Sequence, residues 1–254
     1  MKRKIAIITG VSRVQGIGRA ICLELAKRNH DIFFTYWHAY DRTMPWGVSI
    51  DEPDFMQKEV QDLGVHCEKL ELDLSSSDAP RLLISEVNNK MGHPHVLINN
   101  ATYSTTTSID SMTSVDMDRH YNVNVKAITM LTIEFIKDFA HETGGRIINL
   151  TSGQSLGAMP NEIAYAISKG AIETLTATIY QEIARKGITI NAVNPGPNDT
   201  GWMTDELKMQ LKKQFPMNRI GVPQDTAHLI GFLASEEGGW ITGQVIHSEG
   251  GFIR

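Results

Sequence analysis

The stretch Lys4-Ile5-Ala6-Ile7-Ile8-Thr9-Gly10-Val11-Ser12-Arg13-Val14-Gln15-Gly16-Ile17-Gly18 decides the architecture. Ile5–Ile8 is a short continuous apolar run, the pattern of a strand buried on both faces. It stops at Thr9-Gly10. From Ile17 to Asn29 the apolar residues Ile17, Ala20, Ile21 and Leu25 recur at i, i+3, i+4 and i+8, which predicts a helix with one buried side. Glycine lets the turn between them be tight and lets an anionic group approach the main chain. The N–H groups and positive dipole end of the following helix then face that group. A glycine-rich turn alone is also an ordinary strand-to-helix connection. Its place after the first strand and before an amphipathic helix is what makes it a pyrophosphate site.

The same alternation continues along the chain. Strands are expected at Asp31–Tyr36, Val65–Leu72, Val96–Ile98, Arg146–Leu150, Ile188–Val193 and Gln244–His247. Helices are expected up to Met91 after a Ser75–Ser77 cap, from Val115 to Phe139, from Ile163 to Arg185 and from Pro223 to Ser235. Uniform alternation of strand and helix implies a parallel sheet with right-handed crossovers. The expected fold is therefore α/β: a single-domain, doubly wound, Rossmann-type parallel sheet with helices on both faces, spanning residues 1–254. Two stretches break the rhythm, an insertion near 37–54 carrying Trp37, Tyr40 and Trp46, and a flap near 197–221 carrying Trp202, Met203 and Met217.

Composition narrows the function. Lys and Arg number 24 against 29 Asp and Glu, a net charge of −5, which argues against a protein that tracks nucleic-acid phosphates. No run approaches 18 apolar residues, so no membrane span is expected. Cys22 and Cys67 have no metal-ligand spacing and read as core residues in a reducing compartment, the cytoplasm. The histidines lack His-Glu-x-x-His spacing, and no metal site is expected. Ser152 sits in Thr151-Ser152-Gly153-Gln154-Ser155, with no nucleophile elbow, which disfavours a serine hydrolase.

Four polar or glycine clusters each follow a predicted strand: Thr9-Gly10, Asn99-Asn100, Thr151-Ser152 and Pro195-Gly196. In an open parallel sheet that rim is where ligands bind. Tyr165 and Lys169 lie four apart on a predicted helix and share a face that returns towards Ser152. These groups suit carbonyl reduction. Hydride arriving at carbon builds charge on oxygen, which needs a proton donor and a second donor that holds it. A phenol titrates near 10, and a nearby ammonium favours its ionised form. The cofactor reading follows from charge. The end of the second strand, Thr35-Tyr36-Trp37-His38, has no acid for a ribose diol, while Arg13 and Arg42 are cations for a 2′-phosphate, so NADP(H) is favoured over NAD(H).

On these residues the chain resembles the short-chain dehydrogenase/reductases over essentially its whole length, and is similar to β-ketoacyl-carrier-protein reductases. The resemblance implies that Ser152, Tyr165 and Lys169 are catalytic. It also implies that Asn124, in Val123-Asn124-Val125, completes a proton relay through water and the lysine. It assigns the cofactor to Gly10, Ser12, Arg13, Gly16, Ile17 and Gly18 of the glycine loop, to Asp73 and Leu74 for adenine, and to Asn100 and Ala101 beside the ribose. Tyr165, Lys169, Pro195, Gly196 and Thr200 line the nicotinamide end. The implied substrate is a small-molecule or acyl-thioester carbonyl compound, and the implied assembly a homotetramer or dimer. Three departures stand out. Five residues separate Gly10 and Gly16 where the family has three, Thr102 replaces the glycine of Asn-Asn-Ala-Gly, and the 37–54 insertion is unusual. That insertion is read as a cap on the adenine side, a subunit contact or a cover for the sheet edge. Two rival functions are an NAD-linked sugar or polyol dehydrogenase and a non-catalytic nucleotide-binding sensor of the same fold.

Overall fold

The computed structural model describes residues 3–254. Seven strands form one sheet: β1 (Lys4–Ile8), β2 (His30–Tyr36), β3 (Cys67–Glu71), β4 (Val96–Asn99), β5 (Gly145–Leu150), β6 (Ile188–Asn194) and β7 (Val245–His247). All pair in parallel, in the order β3-β2-β1-β4-β5-β6-β7. The helices are α1 (Ile17–Lys27), α2 (His38–Asp41), α3 (Glu52–Gln61), α4 (Ala79–Lys90), α5 (Ser114–His120), α6 (Ile128–Asp138), α7 (Ile163–Ala184), α8 (Asp205–Lys212) and α9 (Pro223–Ala234).

Successive strand residues feed two different cores, as a pleated sheet covered on both sides requires. Ala6, Ile8, Ile32, Phe34 and Ile98 pack with Leu25 of α1, Met56 of α3 and Ile230 of α9. Ile5, Ile7, Phe33, Leu97 and Ile147 pack with Leu83 of α4, Phe135 of α6 and Ile183 of α7. Phe33, Phe34 and Phe135 are fully buried, each worth roughly 1.5–3 kcal/mol of burial. Cys22 and Cys67 lie in the first core, and burial pushes the Cys67 thiol up to about 12, so neither is a reactive thiolate. No helix among the described residues is long and apolar enough to cross a membrane.

Three local readings change. α3 was not expected, because the exposed Phe55 disguises the buried Pro53, Met56 and Val60 that set its inner face. The Ser75–Ser77 cluster does not cap α4. Asp73 accepts from the Ser75 amide at 2.9 Å and the helix starts later, at Ala79-Pro80. The helix expected over 115–139 is interrupted by a π-helical turn at Tyr121–Ala127, between α5 and α6. Such a turn widens the backbone ladder by one residue and recurs at functional sites.

Candidate active site

The connections reverse direction between β1 and β4, and the crevice beyond their carboxyl ends is the ligand position such a sheet creates. Thr9 and Asn100 stitch its two walls together. The Asn100 Nδ2 donates to the Thr9 and Gly10 carbonyls at 2.7 and 2.9 Å, and the Asn100 and Ala101 amides donate to Thr9 Oγ1 at 3.1 and 3.0 Å. Gly10 has φ +72°, and a Cβ there would stand 2.5 Å from the Ala101 Cα. Only glycine allows this approach. A Cβ at Gly18 would stand 3.0 Å from Asn100 Nδ2 and from the Gly10 carbonyl, a tight fit as well. Gly16 precedes α1 in extended conformation, and Ile17 is the helix's first residue.

Ser152 follows β5, and the first turn of α7 brings Tyr165 back over it. The Ser152 side chain lies close enough to the Tyr165 phenol to act on its ionisation. Burial raises the phenol above its ordinary 10, Glu162 raises it further, and Ser152 pulls it back. The phenol is therefore protonated at neutral pH. Lys169 is 1% exposed; its Nζ donates to the Leu150 carbonyl at 2.8 Å and lies 5.5 Å from the centre of the Tyr165 ring. Burial pulls the lysine down to about 7, with no charged partner to offset it. Asn124 sits fully buried in the π-helical turn. Its Nδ2 donates to the Tyr103 carbonyl and to Ser168 Oγ, at 2.8 and 3.0 Å. Its Oδ1 accepts from the Tyr103 amide and from Thr102 Oγ1, at 2.7 and 3.1 Å. Thr102, the departure from the family glycine, is thereby used to anchor Asn124.

The longer glycine loop, the insertion and the flap form one unit. The Arg13 guanidinium lies 4.3 Å from the Trp46 ring centre and donates to the Thr200 carbonyl at 2.5 Å. Glu52 Oε2 accepts from the Val14 amide at 2.8 Å, and Ser12 Oγ accepts from the Trp37 amide at 3.2 Å. Gln15 packs so tightly on Gly201 that a Cβ there would overlap it. The two additional loop residues thus meet α3 on one side and the flap on the other.

A family model described as Enoyl-(Acyl carrier protein) reductase matches residues 10–253. The chain belongs to the short-chain dehydrogenase/reductase family. It is 48% identical over 255 residues to "Uncharacterized oxidoreductase YjdA" of Bacillus subtilis, covering all of this chain and 98% of that one. It is 33% identical over 253 residues to "3-oxoacyl-[acyl-carrier-protein] reductase FabG" of Staphylococcus epidermidis, covering 98% of each. A short chain dehydrogenase from Burkholderia cenocepacia, solved in complex with NADP, superposes with TM-score 0.87 at 27% identity, covering 98% of this chain and 97% of that one.

This short-chain dehydrogenase/reductase is an NAD(P)-dependent dehydrogenase/reductase. Its rim fits such a dinucleotide: a crevice only glycine can form at residue 10, amide groups at the start of α1 and a buried ammonium at Lys169. The remaining expected residues sit at the same edge. Asp73 and the buried Leu74 follow β3. Pro195 and Gly196 follow β6, with Gly196 at φ +63° against Glu249. In the flap, Met203 is buried while Trp202 and Met217 are exposed. Arg42 is exposed, and it is Arg13 that the cleft contains.

Four residues escaped the sequence reading. Glu173, one turn beyond Lys169, accepts from Gln154 Nε2 at 2.7 Å and Thr151 Oγ1 at 3.1 Å, and so holds the loop of Ser152. The i+4 spacing from Lys169 was the available signal. Arg254, the last residue, pairs with Glu249 at 2.7 Å and lies across Gly153 and Gly157. Asp41 and Glu52 bring carboxylates to the glycine loop from the 37–54 insertion, whose unusual length was the available signal.

Proposed function

We propose that this protein reduces a ketone to a secondary alcohol, and catalyses the reverse reaction, using NADP(H). 3-Oxoacyl thioesters are the first substrates to examine. One observation carries the reading: the Ser152 hydroxyl, the Tyr165 phenol and the Lys169 ammonium gather at the strand rim, with the ammonium 5.5 Å from the centre of the phenol ring. Bound NADPH supplies the hydride. Ser152 donates a hydrogen bond to the substrate carbonyl oxygen and fixes its position. Tyr165, held protonated by burial, delivers its proton to that oxygen as charge develops there. Lys169, poised near 7, stabilises the phenolate that remains and offers its other N–H groups to the nicotinamide ribose. The carbonyl carbon gains hydride, its oxygen gains the proton, and the product is the neutral alcohol. Asn124 is assigned the outer end of the proton relay, supported by its fully buried place in the π-helical turn beside Ser168.

The NADP(H) preference rests on Arg13, the cation beside Ser12 in the loop, and on the NADP-bound neighbour. The 197–221 flap is assigned as substrate cover, joined to the cofactor loop through the Arg13–Thr200 bond. A cytoplasmic homo-oligomer, tetramer or dimer, completes the reading; free Cys22 and Cys67 and the exposed Tyr121, Met130 and Ile167 support it.

The test is turnover by the purified chain, followed by the loss of NADPH absorbance. Acetoacetyl thioesters and small diketones are expected to be reduced. Cofactor binding with no turnover on any ketone contradicts the reading and favours the sensor. Preferential oxidation of sugars or polyols with NAD favours the dehydrogenase rival instead.

A further inference from the structure

The segment 249–254, beyond β7, joins three parts of the site. The Ile253 amide donates to the Gln214 carbonyl at 2.9 Å and the Phe252 ring packs 4.9 Å from that of Phe215, which fixes the segment to the end of the flap. Glu249 accepts from Asn194 Nδ2 at 2.8 Å, at the end of β6, and its Cβ closes on Gly196. Arg254 completes the span. Its Nη1 and Nη2 donate to Glu249 Oε1 and Oε2 at 3.0 and 2.7 Å. Its Nη2 fills the place that a side chain on Gly153 would take, and its Cδ does the same at Gly157. Gly153 follows Ser152 directly, and both glycines lie in the loop that runs from Ser152 to Tyr165.

Two glycines thus leave room for a guanidinium beside the serine that holds the substrate oxygen. A guanidinium has five N–H donors, and the fork to Glu249 uses two of them. The Arg254 side chain is 23% exposed and that of Glu249 10%, so the arginine is the more accessible side of the pair. Arg254 holds the Glu249 carboxyl below the usual carboxylate range, so the pair stays ionised and its charges cancel. It offers directed donors without net charge. A neutral oxygen suits such donors, whereas a free carboxylate would also meet the like charge of Glu249. We propose that Arg254 sets substrate specificity by donating a hydrogen bond to a second, uncharged oxygen of the substrate, a thioester or ester carbonyl close to the ketone, while Glu249 turns away free oxo acids. The inference rests on the ketone reduction proposed above and narrows the substrate class within it.

Steady-state kinetics of the full chain with NADPH test this on three small substrates: methyl acetoacetate, free acetoacetate and a straight-chain monoketone of equal length. In wild type the KM for the ester is expected to lie about tenfold below those for the other two. Arg254→Met keeps an apolar stem and removes the donors. It is expected to raise the KM for the ester about tenfold and to lower the ratio of kcat/KM between ester and monoketone by about the same factor. Glu249→Gln keeps an oxygen for Arg254 and Asn194 but leaves the guanidinium charge unbalanced, so acetoacetate is expected to gain on the ester by about tenfold. Equal KM values in wild type, equal losses on all substrates in Arg254→Met, or an unchanged preference in Glu249→Gln overturn the inference alone. A chain that binds NADPH and reduces no ketone overturns it together with the proposed function.

Discussion

Lys169→Met is expected to make the cofactor-free protein more stable at acid and neutral pH while abolishing turnover. The lysine is 1% exposed, and burial lowers it from an ordinary 10.5 to about 7. At about 1.4 kcal/mol per pH unit that gap corresponds to roughly 5 kcal/mol of destabilisation by the buried charge. The unfolded chain binds the additional proton between about pH 7 and 10.5, so wild-type stability rises with pH across that window. The penalty is complete below about 7 and absent above about 10.5. Methionine fills comparable space without charge but leaves the Leu150 carbonyl short of its donor, a loss of about 1–3 kcal/mol. The net gain is about 2–4 kcal/mol at acid pH, and it reverses to a loss of about 1–3 kcal/mol near pH 10.5. Urea unfolding followed by tryptophan fluorescence at acid, neutral and alkaline pH measures it. A variant less stable than wild type at acid pH, or a difference independent of pH, refutes the reasoning.

Two further substitutions probe the scaffold around the site. Gly10→Ala forces a side chain into φ +72° and against the Ala101 main chain at 2.5 Å. It should lower stability by about 2–4 kcal/mol in denaturant unfolding and abolish dinucleotide binding in calorimetry. Glu173→Ala releases Gln154 and Thr151 and with them the loop of Ser152. A fall in kcat of about tenfold with unchanged NADPH affinity is expected; equal losses in both would assign Glu173 a general structural role.

The fold was legible because its signals are local and repeated. Ile5–Ile8 and Val96–Ile98 are apolar at every position because both sheet faces are covered, and each ends in the polar cluster that marks the rim. What escaped depends on tertiary contact. α3 hides its period behind Phe55. The π-helical turn around Asn124 follows from backbone geometry that side-chain periodicity does not encode. The absence of an acid at the end of β2 was read correctly from Thr35 to His38, yet a four-residue helix carries Asp41 back into the cleft. The longer glycine loop is likewise met in space by α3, through the Val14 amide and Glu52.

The central claim is that the Tyr165 phenol, beside Ser152 and Lys169, protonates the substrate oxygen. Its most direct test is Tyr165→Phe, with NADPH affinity and ketone turnover measured on the same preparation. The account predicts a loss of kcat of about a thousandfold with cofactor affinity within about twofold of wild type. A phenylalanine variant that reduces the ketone at an undiminished rate would contradict it.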